Sequence, residues 1–419
     1  MSLQDLPIPA LAAHTKLLGY SDQGGHPDGA QIMVHRSHAY IGHHFSSGFS
    51  IIDVCDPTQP KVVNWLQAPA GTWNIHLQTH DDLLLVIMAK NMFADAAFAD
   101  EKNYFRGSIG NVIGTAQGSA MSRPWTAGLA VYDISKPAEP RPIGFMPVSG
   151  AGVHRIWYTG GRWAYVSALL DGFTDNILLT VDMSDPTKPE IAGRFWLPGM
   201  NTADGEKLGW PSGGRIGLHH ALVAGDIAYA AWRAGGLVVI DVSDRSQPKL
   251  MTHRSWSPPY QGGTHNCLPL PDRDLLVVLD EAEAEHQEDG LKPIWIFDNR
   301  DPTNPVSIAT CPVPADADYR SFGGKFGPHN LHENRPGSFV SSDFIFATYN
   351  NAGLRVYDIR EPYRPREVAA FVPPPPTKIV DPRPHRASTV QSSDVFVSAD
   401  GIMYLTDANA GLYIMQFLG

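Results

Sequence analysis

Five short phrases in this chain carry a histidine just ahead of an apolar strand: Asn74-Ile75-His76, Gly152-Val153-His154, Leu218-His219-His220, Gly263-Thr264-His265 and Gly327-Pro328-His329. The sequence holds 17 histidines in 419 residues. Chance would therefore place fewer than about one at any seven chosen positions. His76, His154, His220, His265 and His329 are the residues expected at the common register. Several imidazoles brought within a few ångströms cannot all be protonated, because like charges repel. A divalent metal resolves the conflict, since neutral imidazole is a ligand for iron, zinc and copper. Manganese is a further candidate. Four such ligands leave coordination positions open to substrate, and an ion there activates oxygen or polarises a substrate oxygen. Two other readings stay open: a polar channel mouth holding ordered water, and acid–base chemistry without a metal.

Other polar residues end strands expected to open on the same side. Lys90 and Arg233 suit an anion, phenolate or oxyanion. Glu281 suits a general base or a partner for a ligand imidazole. His44 and Asp171 complete a candidate substrate rim. Trp73, Trp210, Trp232 and Tyr349 stand in or beside the same loops, and aromatic walls suit an aromatic or phenolic substrate. The alternatives are surface charge and inter-sheet hydrogen bonding for the polar group, and packing for Trp232 and Tyr349.

What must position these residues is a repeat. Leu237-Val238-Val239-Ile240-Asp241 runs through Ser243-Asp244 to Pro248, and the same phrase recurs around Asp53, Asp133, Asp182, Asp298 and Asp358. A worn copy ends in Gln416. Successive spacings are 80, 49, 59, 57, 60 and 58 residues. A four-stranded propeller unit spans roughly 40–50 residues, so the excess belongs to loops. Seven copies predict an all-β, seven-bladed β-propeller over residues 1–419 as one domain. The last copy lacks its outer strand, and Thr15–Tyr20 at the N-terminus supplies it, closing the last blade. Insertions at 91–127, 200–217, 315–327 and 372–388 gather on one face, where binding loops collect.

The phrase Leu-Val-Val-Ile-Asp followed by Ser-Asp-x-x-x-Pro resembles the LVIVD repeat of bacterial propeller proteins. That resemblance implies the fold and is nearly silent on chemistry. The histidine plan is also similar to that of the carotenoid cleavage oxygenases, in which four histidines on a seven-bladed propeller hold ferrous iron. This likeness of geometry, not of sequence motif, implies iron and oxygen chemistry.

Net charge is −11, which argues against a nucleic-acid partner. No run of about 18 apolar residues occurs, so no membrane span is expected. Met1–Pro9 lacks a basic segment followed by an apolar run, and Cys55, Cys267 and Cys311 have no CxxC spacing. A cytoplasmic protein with reduced thiols is expected. Phosphate loops of the GxxxxGK[ST] type, GxGxxG turns, HExxH helices and GxSxG elbows are absent. The sequence thus predicts a metal-dependent oxygenase or lyase acting on a small molecule. Its rival is a non-catalytic propeller scaffold for protein partners. Oligomeric state is left open.

Overall fold

The computed structural model describes residues 6–98, 104–105, 109–110, 124–207, 209, 214–383 and 386–419. Among them the regular structure is almost wholly antiparallel strand, in five four-stranded sheets and one nine-stranded sheet. No described helix is long and apolar enough to cross a membrane.

The repeated phrase owes its form to one turn. In all six full copies the strand-ending aspartate accepts a hydrogen bond from the backbone N–H two residues on. Asp241 accepts from Ser243 at 2.8 Å, and Asp53, Asp133, Asp182, Asp298 and Asp358 do the same at 2.8–3.1 Å. This local bond turns the chain out of the strand and competes with continued pairing. The run before it is apolar without alternation because both faces are covered: Leu237, Val238, Val239 and Ile240 are all fully buried.

The chain divides into two compact units. The first comprises the described residues of Met1–Leu66, with Leu270–Asp301 and Pro305–Gly419. Its first sheet orders Gly29–His35, His38–His43, Gly48–Asp53 and Lys61–Gln67. Another orders Ser392–Val397, Ile402–Asp407, Gly411–Phe417 and Thr15–Ser21. The N-terminal strand therefore pairs with the C-terminal one, Tyr20 opposite Tyr413. The last repeat also bonds to the first, with Thr406 Oγ1 donating to the Ala30 carbonyl at 2.8 Å. Leu11–Ala13 adds a strand outside Arg366–Val372, which the repeat did not signal.

The second unit is Gln67–Pro269 with Pro302–Asn304. Two repeats fuse there into the nine-stranded sheet, through Gly152 paired with Ala89. The next repeat orders His220–Ala224, Ile227–Ala231, Leu237–Asp241 and Lys249–Arg254. Neighbouring repeats approach closely at outer-strand glycines. A Cβ on Gly193 would lie 2.2 Å from the Arg245 carbonyl, and one on Gly144 would lie 2.3 Å from that of Pro186. Only glycine permits that approach.

Candidate metal centre

Inner strands of the second unit start irregularly, and that irregularity aims the histidines. Pairing of Gly152–Trp157 shifts register between Val153 and Arg155, leaving His154 as the extra residue of a bulge. Bulges re-aim side chains beside functional sites. In the preceding repeat the inner strand breaks between Thr72–Trp73 and Leu77–His80, and His76 sits in the break. In the following one, regular pairing begins only at His220.

His76, His154 and His219 come together: one ring nitrogen of each lies within 4.8 Å of one from both others. Ring centroids are 4.9 Å apart for His76–His154, 5.1 Å for His154–His219 and 6.3 Å for His76–His219. His265 stacks on His219 at 3.4 Å and 18°. His220 was the residue expected at this register, yet its neighbour His219 is the one that joins the group. His220 opens the paired strand and lies edge-on to Trp157 at 6.3 Å. Period-two alternation cannot place a residue that precedes the first paired position.

Protonation follows from the partners. The Nδ1 of His219 meets the His265 carbonyl at 2.7 Å. A carbonyl only accepts, so Nδ1 carries the proton and Nε2 presents its lone pair, as in ligand histidines oriented from behind. Burial, then the charges of His265, Arg233, His154 and Arg155, push the His219 pKa well below the ordinary value, so the ring is neutral. The Nε2 of His219 is therefore a donor of the kind a divalent ion takes. His76 differs: Arg155 Nη1 donates to its Nδ1 at 3.1 Å, which places the His76 proton on Nε2. His154 is half-buried, while His219 and Arg155 are buried.

In the first unit, His329 Nδ1 donates to the Ser393 carbonyl at 2.6 Å and its Nε2 lies 3.7 Å from the buried Glu281 carboxylate. Lys292, itself buried, meets Asp289 at 3.2 Å, and Asp289 accepts from the Glu283 N–H at 2.7 Å. That bracing fixes the loop that follows Glu281. His44 Nε2 bonds Ser393 Oγ at 2.9 Å; burial, then the charge of His329, pushes the His44 pKa down to about 3.

Several expected rim residues are engaged elsewhere. Lys90 pairs with Asp95 at 2.5 Å and lies over the Trp125 ring. Asp171 is exposed, and its backbone N–H meets Ser149 Oγ at 3.3 Å. Trp73 is buried edge-on against Phe93 at 4.8 Å. Trp232 is fully buried, with Nε1 toward the Met200 sulfur at 3.4 Å and its ring edge-on to Phe195. Tyr349 packs on Phe326 at 5.5 Å, and burial raises its pKa. Such aromatics fill space between strands, because large apolar rings gain most from burial. Arg233 is buried with its guanidinium over the Phe105 ring, 5.9 Å from the centroid. Trp210 lies outside the described residues. Two functional candidates were missed, Arg155 and His219. Each is adjacent in sequence to an expected ligand, and no other signal marked them.

A family model described as the LVIVD repeat matches residues 28–65, 155–196 and 221–253. No curated protein matches the sequence. Among solved structures, the periplasmic gluconolactonase of Pseudomonas aeruginosa is similar at 10% identity and a TM-score of 0.51, covering 93% of this chain and 91% of its own. A chain of a mitotic checkpoint complex is similar at 10% identity and 0.54, covering 99% and 96%. At such identities the likeness is one of fold alone. Over those three stretches the chain matches the LVIVD repeat, a repeat associated with β-propeller folds, and its described sheets are antiparallel throughout.

Proposed function

We propose that this chain is a seven-bladed propeller enzyme that uses a divalent metal ion on a small aromatic or phenolic substrate, by oxygenase-type cleavage or as a lyase. The observation that carries this reading is the group of His76, His154 and His219, with the His219 tautomer set by the His265 carbonyl. His154 and His219 would hold the ion, joined by His76 where Arg155 yields its nitrogen. His265 stacks behind His219 and keeps that ring from turning. Bound there, the ion supplies Lewis acidity or an open position for oxygen. Iron, zinc, copper and manganese all fall within the reading. Glu281 and His329 of the first unit form an imidazole–carboxylate pair, 3.7 Å apart.

The test is elemental analysis of the purified protein, followed by chelation and reconstitution while turnover of a panel of phenolic and aryl substrates is followed. About one ion per chain, and a turnover that chelation abolishes and the same metal restores, supports the reading. Protein without metal and without turnover removes it. That result would leave the scaffold alternative, which a groove of about 490 Å³ lined by Trp125, Phe145, Pro147 and Val148 favours.

A further inference from the structure

We propose that Asn266 is a positioning residue of the metal centre in the second unit: its amide oxygen pins the ring of His265, and that ring in turn holds His219 at the angle an ion requires. The inference rests on the site proposed above and adds the residue that aligns it.

Each link of the relay has a measured distance. Asn266 is fully buried, the third residue of the inner strand Thr264–Leu270. Its Oδ1 lies 3.0 Å from the Nδ1 of His265. An amide oxygen only accepts, so the His265 proton sits on Nδ1. The ring fixed in this way lies flat on that of His219, with centroids 3.4 Å apart and planes inclined by 18°. The His265 carbonyl meanwhile takes the Nδ1–H of His219 at 2.7 Å. Two separate holds therefore act on one imidazole. The carbonyl decides which nitrogen of His219 carries the proton, but a single hydrogen bond lets the ring tilt about its axis. The stacked ring removes that freedom, and only this second hold depends on Asn266.

Two observations tie the amide to this contact and not to packing. Successive residues of a strand point to opposite faces, so a bond between the side chains of His265 and Asn266 departs from the ordinary arrangement. The Nδ2 of Asn266 is buried and meets no acceptor among the described residues. An unmatched buried donor destabilises a fold, and leucine would fill nearly the same volume without it. What the oxygen does accounts for the amide being there. The dipeptide His-Asn occurs at one other place in the chain, His329-Asn330 of the first unit. Asn330 is also buried, and its Nδ2 donates to the Ser393 carbonyl at 2.8 Å. The same carbonyl takes the Nδ1–H of His329 at 2.6 Å. In each unit, taken by itself, the amide after the histidine belongs to the hydrogen bonding that keeps the ring proton on Nδ1.

The test uses Asn266→Leu, which removes the acceptor, and Asn266→Asp, which keeps one of the same shape. Zinc affinity is measured on purified, metal-stripped protein by competition with a chromophoric chelator, and the histidine tautomers by nitrogen-15 NMR. In the parent, His265 and His219 are both expected to carry the proton on Nδ1. Asn266→Leu is expected to bind zinc at least about tenfold more weakly, with the Nδ1–H of His265 lost, that of His219 kept and the Tm not lowered. Asn266→Asp is expected to retain the parent affinity. A residue that only packs would lower the Tm and move neither tautomer. Parent affinity in Asn266→Leu overturns the proposal, as does an equal fall in both variants. Should Asn266→Leu not fold, the parent spectrum decides: a His265 proton on Nδ1 upholds the proposal, and one on Nε2 overturns it. The metal reading is scored separately. Zinc bound by the parent and unmoved by either variant sinks this role and leaves that reading standing. A parent that takes up none of zinc, iron, copper or manganese removes the centre and this role with it.

Discussion

The Nδ1 atom of His219 and the carbonyl oxygen of His265 lie 2.7 Å apart, and the ring of the second residue stacks on the ring of the first. One residue thus sets both the tautomer and the tilt of its neighbour. That leaves a single nitrogen of His219 facing His154, and gives the adjacent pair His219-His220 different fates.

The pair separates experimentally. His219→Ala and His154→Ala are each expected to bring bound metal from about one ion per chain to less than about a tenth, by elemental analysis. His220→Ala keeps it, because that ring lies against Trp157. Metal lost on replacing His220 and kept on replacing His219 would reverse the assignment.

Asp407 supplies a pH dependence of known sign. Burial raises its pKa to about 6, against hydrogen bonds from the N–H groups of Asn409, Gln391 and Ala410 that favour the charged form. The native state therefore holds this proton more firmly than the unfolded chain, whose aspartate titrates near about 4. Its contribution to stability is full below about pH 4 and is lost as pH rises through about 6. The slope is at most about 1.4 kcal/mol per pH unit. Urea midpoints from pH 4 to 7 should show that slope in the parent and not in Asp407→Asn. An equal slope in both would refute the assignment.

Asp28 behaves oppositely. Burial alone would raise its pKa, but bonds from His43, Ser46 and the Phe45 N–H outweigh it and hold the carboxyl well below the usual range. Those contacts run from 2.6 Å at Phe45 to 3.3 Å at His43. The resulting stability is present above the ordinary aspartate pKa and is lost as pH falls from there through the depressed native pKa. Asp28→Ala strips a buried hub of its partners and is expected to cost about 3–5 kcal/mol at neutral pH by chemical denaturation. A loss under about 1 kcal/mol would show that the hub does not hold the first sheet.

Gly193 and Gly144 test the contact between repeats. Replacement by alanine drives a Cβ into a backbone carbonyl, which cannot swing away as a side chain can. Each is expected to cost about 1–3 kcal/mol. Gly209, with no atom of the described residues near its Cβ position, should tolerate alanine within about 0.5 kcal/mol. Equal effects at all three sites would mean that the repeats can shift to make room.

The repeat was legible because it is local. The aspartate that ends each strand bonds two residues onward, so its signature stays within one short phrase. The pairing of Thr15–Ser21 with Gly411–Phe417 was legible by subtraction, one strand missing at one end and one spare at the other. The site was legible only to the nearest residue. A bulge at His154 and a late start at His220 depend on which backbone groups find partners across the sheet, and side-chain alternation carries no record of that. Trp232 and Tyr349 were read either as pocket walls or as packing, and both lie buried between strands. Arg155 went unread because an arginine inside an apolar strand looks, in sequence, like a residue facing outward.

The pairing of Tyr20 with Tyr413 has a bearing on synthesis. Thr15–Ser21 is made some four hundred residues before Gly411–Phe417 and finds that partner only once it has emerged from the ribosome. Until then its edge stays unsatisfied, an open invitation to strands of other nascent copies.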